Sequence, residues 1–296
     1  GPVVIHTKDF GKTFSEATPL VNQTSQQPGL QFDVWDAVLA PDGQLLVALG
    51  NNAWKLNLPK DQWGFFLVRR DPRTGEITPV ANINKRPSEG FSLAVNSQGT
   101  VVACWLADKL YANVSKDGGK TFGETIEVPA AANDRSLNPC NCCTTSSTFL
   151  ADGRVAILYR EETGNLRDMY LAIWDIEANQ TTKRPVSKTP WKIDTCPMTY
   201  YSLVRDKSGL VAAWPNQRSV YLAKLSEDGK VESPGETKTV GMSGMRTGLT
   251  TLSDREERIL VLWNSDARIG WQLFDRQRTP LGLGDSTNAQ IGRAHV

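Results

Sequence analysis

The sequence predicts an all-β chain folded as a six-bladed β-propeller spanning residues 1–296, and three observations carry that expectation. Turn signals recur at Asp42-Gly43, Ser97-Gln98-Gly99, Asp152-Gly153 and Lys207-Ser208-Gly209, a spacing of about 55 residues, and a glycine-free turn near Ser253 to Glu256 continues the series. Each turn is flanked by short apolar segments of hairpin type. Helix-length amphipathic periodicity is absent from the whole chain.

Each repeat divides into four short strands. A short apolar segment precedes the turn, and an alternating one follows it at Leu45 to Leu49, Val101 to Trp105, Val155 to Tyr159, Leu210 to Trp214 and Ile259 to Trp263. A third strand is expected at Phe65 to Arg69, Leu110 to Val114, Met169 to Trp174, Val220 to Leu225 and Ile269 to Phe274. A weaker fourth follows a polar turn, as at Glu124 to Val128 or Lys238 to Val240. Four short strands per unit, repeated around a ring, is the propeller pattern. Five full units fit between about residues 30 and 285. The remainder supplies a sixth: residues 289–296 read as its first strand and residues 3–20 as its third and fourth, so pairing the two ends would close the ring and hide its edges. Trp105, Tyr159, Trp214 and Trp263 fall in register at second-strand ends and read as core.

Charge says what the partner is not. Lys and Arg total 33 against 32 for Asp and Glu, so no global field steers the molecule toward nucleic acid or an anionic membrane. No stretch approaches the roughly 18 consecutive apolar residues of a membrane helix. Gly1-Pro2 reads as the scar of a protease-cleaved tag, with any export signal lying outside the given sequence.

Two segments share an eight-residue pattern: Thr7-Lys8-Asp9-Phe10-Gly11-Lys12-Thr13-Phe14 and Ser115-Lys116-Asp117-Gly118-Gly119-Lys120-Thr121-Phe122, with a relic at Ser226-Glu227-Asp228-Gly229. The aspartate is expected to accept backbone N–H bonds across the turn, and the terminal aromatic to pack between strands three and four. This is the Asp-box, and on it the chain resembles the sialidase-like or BNR-repeat propellers over nearly its whole length. The sialidase Arg-Ile-Pro motif is missing, so the resemblance implies the fold and not sialidase catalysis. Arg86, Arg160, Arg167 and Arg246 sit at blade-entry or loop positions and cannot be assigned to a carboxylate clamp; Tyr159-Arg160-Glu161-Glu162 reads as a solvated loop, with a glycosidase carboxylate pair as the alternative. The Cys-x-Cys-Cys run, with Asn165 to Tyr170 and Trp191 to Pro197, is also similar to a subgroup of exported bacterial BNR-repeat proteins, which implies a periplasmic or secreted protein with a cysteine-bearing face.

Four of the five cysteines fall in two places, Cys140, Cys142 and Cys143 in one run and Cys196 one unit later. Aligned on the turns, Cys143 lies nine residues before Asp152 and Cys196 ten before Asp206, so both precede an inner strand and should meet at one mouth of the channel. Met198 follows Cys196, and Met242 and Met245 occupy the corresponding place in the next unit. Thiolate and thioether are soft donors that select Cu(I) over hard cations, whereas zinc more usually takes two Cys-x-x-Cys pairs or added histidine. The candidate metal ligands are therefore Cys140, Cys142, Cys143 and Cys196, supplemented by Met198, Met242 and Met245. The competing expectations are two disulfides stapling adjacent blades, with the propeller serving as a glycan-active enzyme, a lectin or a protein-interaction platform, or a redox thiol, which no neighbouring histidine supports. Cys104, inside a strand, reads as an inert buried residue.

Overall fold

The computed structural model describes residues 1–296 apart from 10–11, 21–26, 85–88, 132–136, 234, 243–248, 266–267, 283 and 288–296. Five four-stranded antiparallel sheets follow one another along the chain. Blade 1 comprises β3 (Phe32–Leu39), β4 (Leu45–Asn51), β5 (Phe65–Arg70) and β6 (Ile77–Asn84). Blade 2 holds β7 (Glu89–Val95), β8 (Val101–Leu106), β9 (Leu110–Ser115) and β10 (Ile126–Glu127). Blade 3 holds β11 (Ser146–Phe149), β12 (Val155–Arg160), β13 (Met169–Asp175) and β14 (Gln180–Pro185). Blade 4 holds β15 (Ser202–Asp206), β16 (Gly209–Asn216), β17 (Ser219–Leu225) and β18 (Thr237–Met242). Blade 5 holds β19 (Leu249–Ser253), β20 (Ile259–Ser265), β21 (Arg268–Phe274) and β22 (Asp285–Thr287). The first strands of successive blades lie side by side, β3 with β7, β7 with β11, β11 with β15 and β15 with β19.

The second strands explain why the blades stack. Every residue of β8, β12 and β16 is buried, because a strand has two faces and here each face meets a neighbouring blade. Along β12, Val155, Ile157 and Tyr159 join the core shared with blade 2, while Ala156 and Leu158 join the one shared with blade 4. Period-two alternation thus divides one apolar run between two interfaces, each buried Leu or Ile contributing about 2 kcal/mol. The aromatic residues at strand ends pair across the ladder: Trp105 stacks on Tyr111 and Trp214 on Tyr221, and Tyr159 lies tilted against Tyr170, with centroids 6.1–6.5 Å apart. In blade 5 the partner of Trp263 is Gly270, where a Cβ would come within 2.3 Å of the indole, so the ring occupies the space a side chain there would need.

Side-chain oxygens tie the inner strands of successive blades together. Asp36 of β3 accepts the Leu93 N–H of β7 (2.7 Å), Ser146 of β11 accepts the Leu203 N–H of β15 (2.9 Å), and Ser202 of β15 accepts the Thr251 N–H of β19 (3.0 Å). Between blades 2 and 3 the Ser92 hydroxyl meets those of Thr145 and Ser147. This polar belt satisfies groups that the narrow end of each blade cannot pair within its own sheet.

The expectation of six blades is corrected to five among the described residues. β1 (Val3–Val4) and β2 (Thr18–Pro19) form a separate two-stranded sheet, and Leu20 beside it is buried with Val47, Leu49 and Val68 of blade 1. Two strands of two residues carry too little ladder to make a blade, and the segment expected to complete it, residues 289–296, lies outside the described residues. Both eight-residue turns have the expected hydrogen bonds. Asp117 accepts from the Ser115 hydroxyl (2.7 Å), the Thr121 N–H (3.0 Å) and the Thr121 hydroxyl (2.6 Å), and Asp9 accepts the same three from Thr7 and Thr13. Those donors hold the Asp9 carboxyl at about 2, with the Thr13 hydroxyl the largest cause. Phe122 packs on the core between blades 1 and 2, but Phe14 stays exposed.

Candidate metal centre

The cysteine run is shaped by the end of β12. The Cys140 N–H donates to the Arg160 carbonyl (2.8 Å) and the Glu162 N–H to the Asn138 carbonyl (2.9 Å), while a bond from the Cys143 N–H to the Cys140 carbonyl (2.9 Å) folds the run into a turn ahead of β11. Gly90 of β7 makes room for it. Its φ is +79°, and a Cβ there would sit 2.2 Å from the Cys143 carbonyl oxygen. The Cys196 loop is tied on from the other side, through Arg167 N–H to Trp191 O (2.9 Å), Ile193 N–H to Asn165 O (3.0 Å) and Asn165 Nδ2 to Asp194 (2.8 Å).

These loops bring all four predicted sulfurs together, with their Sγ atoms within 4.8 Å of one another. Cys142 and Cys196, both half-buried, form a disulfide with Cα atoms 6.5 Å apart. Cys140 and Cys143 are free thiols and buried. Cys140 Sγ lies 3.6 Å from Cys142 Sγ and 3.3 Å from Cys143 Sγ, which donates to it; Cys143 Sγ lies 4.0 Å from Cys196 Sγ.

Two buried arginines face the sulfurs. Arg167 donates from Nη1 to Cys140 Sγ (2.8 Å) and holds Glu162 through two bonds of 2.8 Å. Arg160, 1% exposed, donates to the carbonyls of Arg167 and Pro215 (2.8 Å to the latter) and lies 4.8 Å from the Trp191 ring centroid and 6.0 Å from that of Tyr201. The hydrogen bond from Cys143 pulls the Cys140 thiol down to about 7, with the Arg167 charge assisting against burial. Cys143, as the donor in that bond and deeply buried, is pushed well above the usual thiol range. Tyr201 donates its hydroxyl to the Thr144 carbonyl and accepts the Arg160 N–H (3.1 Å), and burial drives its phenol upward.

The predicted methionines fare differently. The Met198 N–H donates to Cys196 Sγ (3.3 Å) from a backbone with φ +46°. Met242 ends β18, but its side chain is outside the described residues, as is Met245 entirely. Met169, the fourth methionine, is buried in the same core as Cys140 and Cys143. The reading of residues 159–162 as a solvated loop is corrected for the first three: Tyr159 and Arg160 end β12 fully buried, and Glu161 is locked by Lys183 (3.1 Å) and the Tyr159 hydroxyl (2.7 Å), while Glu162 stays part-exposed. Glu161 and Glu162 are thus both engaged by cations. Arg86 and Arg246 lie outside the described residues. Cys104 is buried, with its thiol pushed up to about 12 by desolvation, as expected of an inert residue. Sequence reasoning missed the arginine support. Its signal was Arg160 itself, a charge at the end of an apolar second strand in register with buried aromatics.

No family model and no curated protein matches this chain. Solved structures do. The chain is similar to a Dyadobacter fermentans protein of unknown function (14% identity, TM-score 0.59, 88% of this chain and 87% of that one). It is similar to a Penicillium chrysogenum α-L-arabinanase complexed with arabinobiose (17%, 0.61, 94% and 86%) and to the SapL1 lectin in complex with α-methyl fucoside (12%, 0.57, 88% and 82%). At such identities the likeness establishes the propeller fold.

Proposed function

We propose that this propeller binds one soft metal ion, Cu(I), through Cys140, Cys142, Cys143 and Cys196 when all four are reduced. The observation that carries the reading is the mutual approach of four Sγ atoms within 4.8 Å, drawn from loops ahead of two adjacent inner strands. Sulfur-only donors favour Cu(I) over oxygen-seeking cations. The buried guanidinium of Arg167 on Cys140 supports it, since thiolate ligands bring negative charge that a buried site must compensate. Met198, Met242 and Met245 are the supplementary donors of the proposal. It extends to a BNR-type chain exported to the periplasm or beyond, a single domain, and a protein partner on the cysteine-bearing face that receives or delivers the ion.

Anaerobic titration of the fully reduced protein with Cu(I), with Zn(II) as competitor, tests this. A tight one-to-one complex that survives Zn(II) and is lost in Cys142→Ser/Cys143→Ser is expected; no binding at submicromolar Cu(I), or displacement by Zn(II), removes the reading. The Cys142–Cys196 disulfide favours a second reading, a blade staple on a carbohydrate-binding or protein-binding propeller. A free-thiol count separates them, because a permanent staple leaves Cys142 and Cys196 oxidised under mild thiol reductant.

A further inference from the structure

We propose that the four sulfurs also work as a two-tier thiol–disulfide relay, in which the buried Cys140/Cys143 dithiol exchanges with the half-buried Cys142–Cys196 disulfide. The relay uses the sulfurs assigned to the metal but needs no metal. A staple requires only two cysteines, whereas here a dithiol is packed directly behind the bridge: Cys140 Sγ is 3.6 Å from Cys142 Sγ, and Cys143 Sγ is 4.0 Å from Cys196 Sγ. The inner pair is also polarised. Cys140 Sγ accepts from Arg167 Nη1 (2.8 Å) and from Cys143 Sγ (3.3 Å), which marks Cys140 as the nucleophile and Cys143 as the proton carrier. A donor waits at the far end of the bridge, where the Met198 N–H points at Cys196 Sγ (3.3 Å) from a left-handed backbone conformation that a methionine adopts only under constraint.

The exchange balances within the chain. The Cys140 thiolate forms a bond to Cys142 Sγ as the Cys142–Cys196 bond breaks, and the electron pair leaves on Cys196, where the Met198 N–H stabilises it. Cys143 passes its proton to Cys196 and attacks Cys140, and Cys142 departs as a thiolate. Two electrons have moved from the inner pair to the outer one, with one thiolate and one thiol present before and after. Reducing equivalents held in the core thereby reach the sulfurs that face solvent, and the protein becomes a thiol–disulfide exchange protein toward disulfide-bearing molecules.

Peptide mapping tests this on metal-free protein carrying one disulfide per chain, kept in chelator, acid-quenched and alkylated. Trypsin releases Cys140, Cys142 and Cys143 in one peptide, Ser136 to Arg154, and Cys196 in another, Ile193 to Arg205. Wild type is expected to give two populations, the joined peptides and a Ser136 to Arg154 peptide with an internal disulfide beside alkylated Cys196. Cys140→Ser should give joined peptides alone, and Cys143→Ser an internal Cys140–Cys142 bridge with Cys196 alkylated, each variant first shown to keep a cooperative melting transition. Joined peptides alone in wild type and in Cys143→Ser would overturn the relay, and if a variant does not fold the wild-type populations decide. Because the Cu(I) titration uses fully reduced protein, either proposal can fail while the other stands.

Discussion

Arg160 is a cation inside the protein with no carboxylate partner among the described residues, held by carbonyls and two ring faces. A buried charge persists only when its surroundings compensate it, and the sulfurs of Cys140 and Cys143 are near enough to be influenced by it. Arg167 completes this arrangement through its direct bond to Cys140. Replacing Arg167 by Met should therefore weaken Cu(I) binding about 10- to 100-fold, with Lys restoring part of the loss, as read by competition with a chromophoric chelator. Asp36 makes a different residue-scale test. Desolvation raises its carboxyl to about 6, against the Leu93 and Ala37 N–H bonds that lower it. An acid raised on folding contributes stability that is present below about pH 4 and lost as pH rises through about 6. Asp36→Asn should remove that slope, gaining about 2 kcal/mol relative to wild type between about pH 4 and pH 7 in urea unfolding. A parallel pH profile in the two proteins would refute it.

At the scale of elements, the second and third strands were legible because apolar alternation between turn signals is a local property. Ile259 to Trp263 and Val155 to Tyr159 lie within strands of the structure. The fourth strands were weaker in sequence, and in the structure their lengths range from two residues in β10 to eight in β6. The meeting of the Cys143 and Cys196 segments followed from counting back from the turns, since equivalent positions in a repeat occupy equivalent places. The support beneath them did not, because it depends on non-local contacts such as Gly90 against the Cys143 carbonyl. Gly90→Ala combines positive φ with a backbone collision, and it should cost about 2–4 kcal/mol and weaken metal binding at the same time. Thermal melting with and without Cu(I) would measure both; an unchanged melting temperature would show that the loop yields freely.

For the molecule as a whole, repeat length and strand count predicted the propeller, while blade number depended on the chain ends, where short segments carry little pattern. Deleting residues 1–20 tests how the N-terminal hairpin contributes. It would expose Val47, Leu49 and Val68 of blade 1, and burial of that size is worth several kcal/mol, so a fall in melting temperature of about 5 °C or more is expected. An unchanged melt would mean that the hairpin is an ornament on a self-sufficient ring.

The purpose proposed for that ring depends on its sulfurs acting as ligands. X-ray absorption at the copper edge of the anaerobically loaded protein addresses this directly. Ligation by the four cysteines gives a Cu(I) edge with a first coordination shell made wholly of sulfur, losing sulfur neighbours in Cys142→Ser. A shell containing nitrogen or oxygen, or copper washed away by a single desalting step, would contradict it.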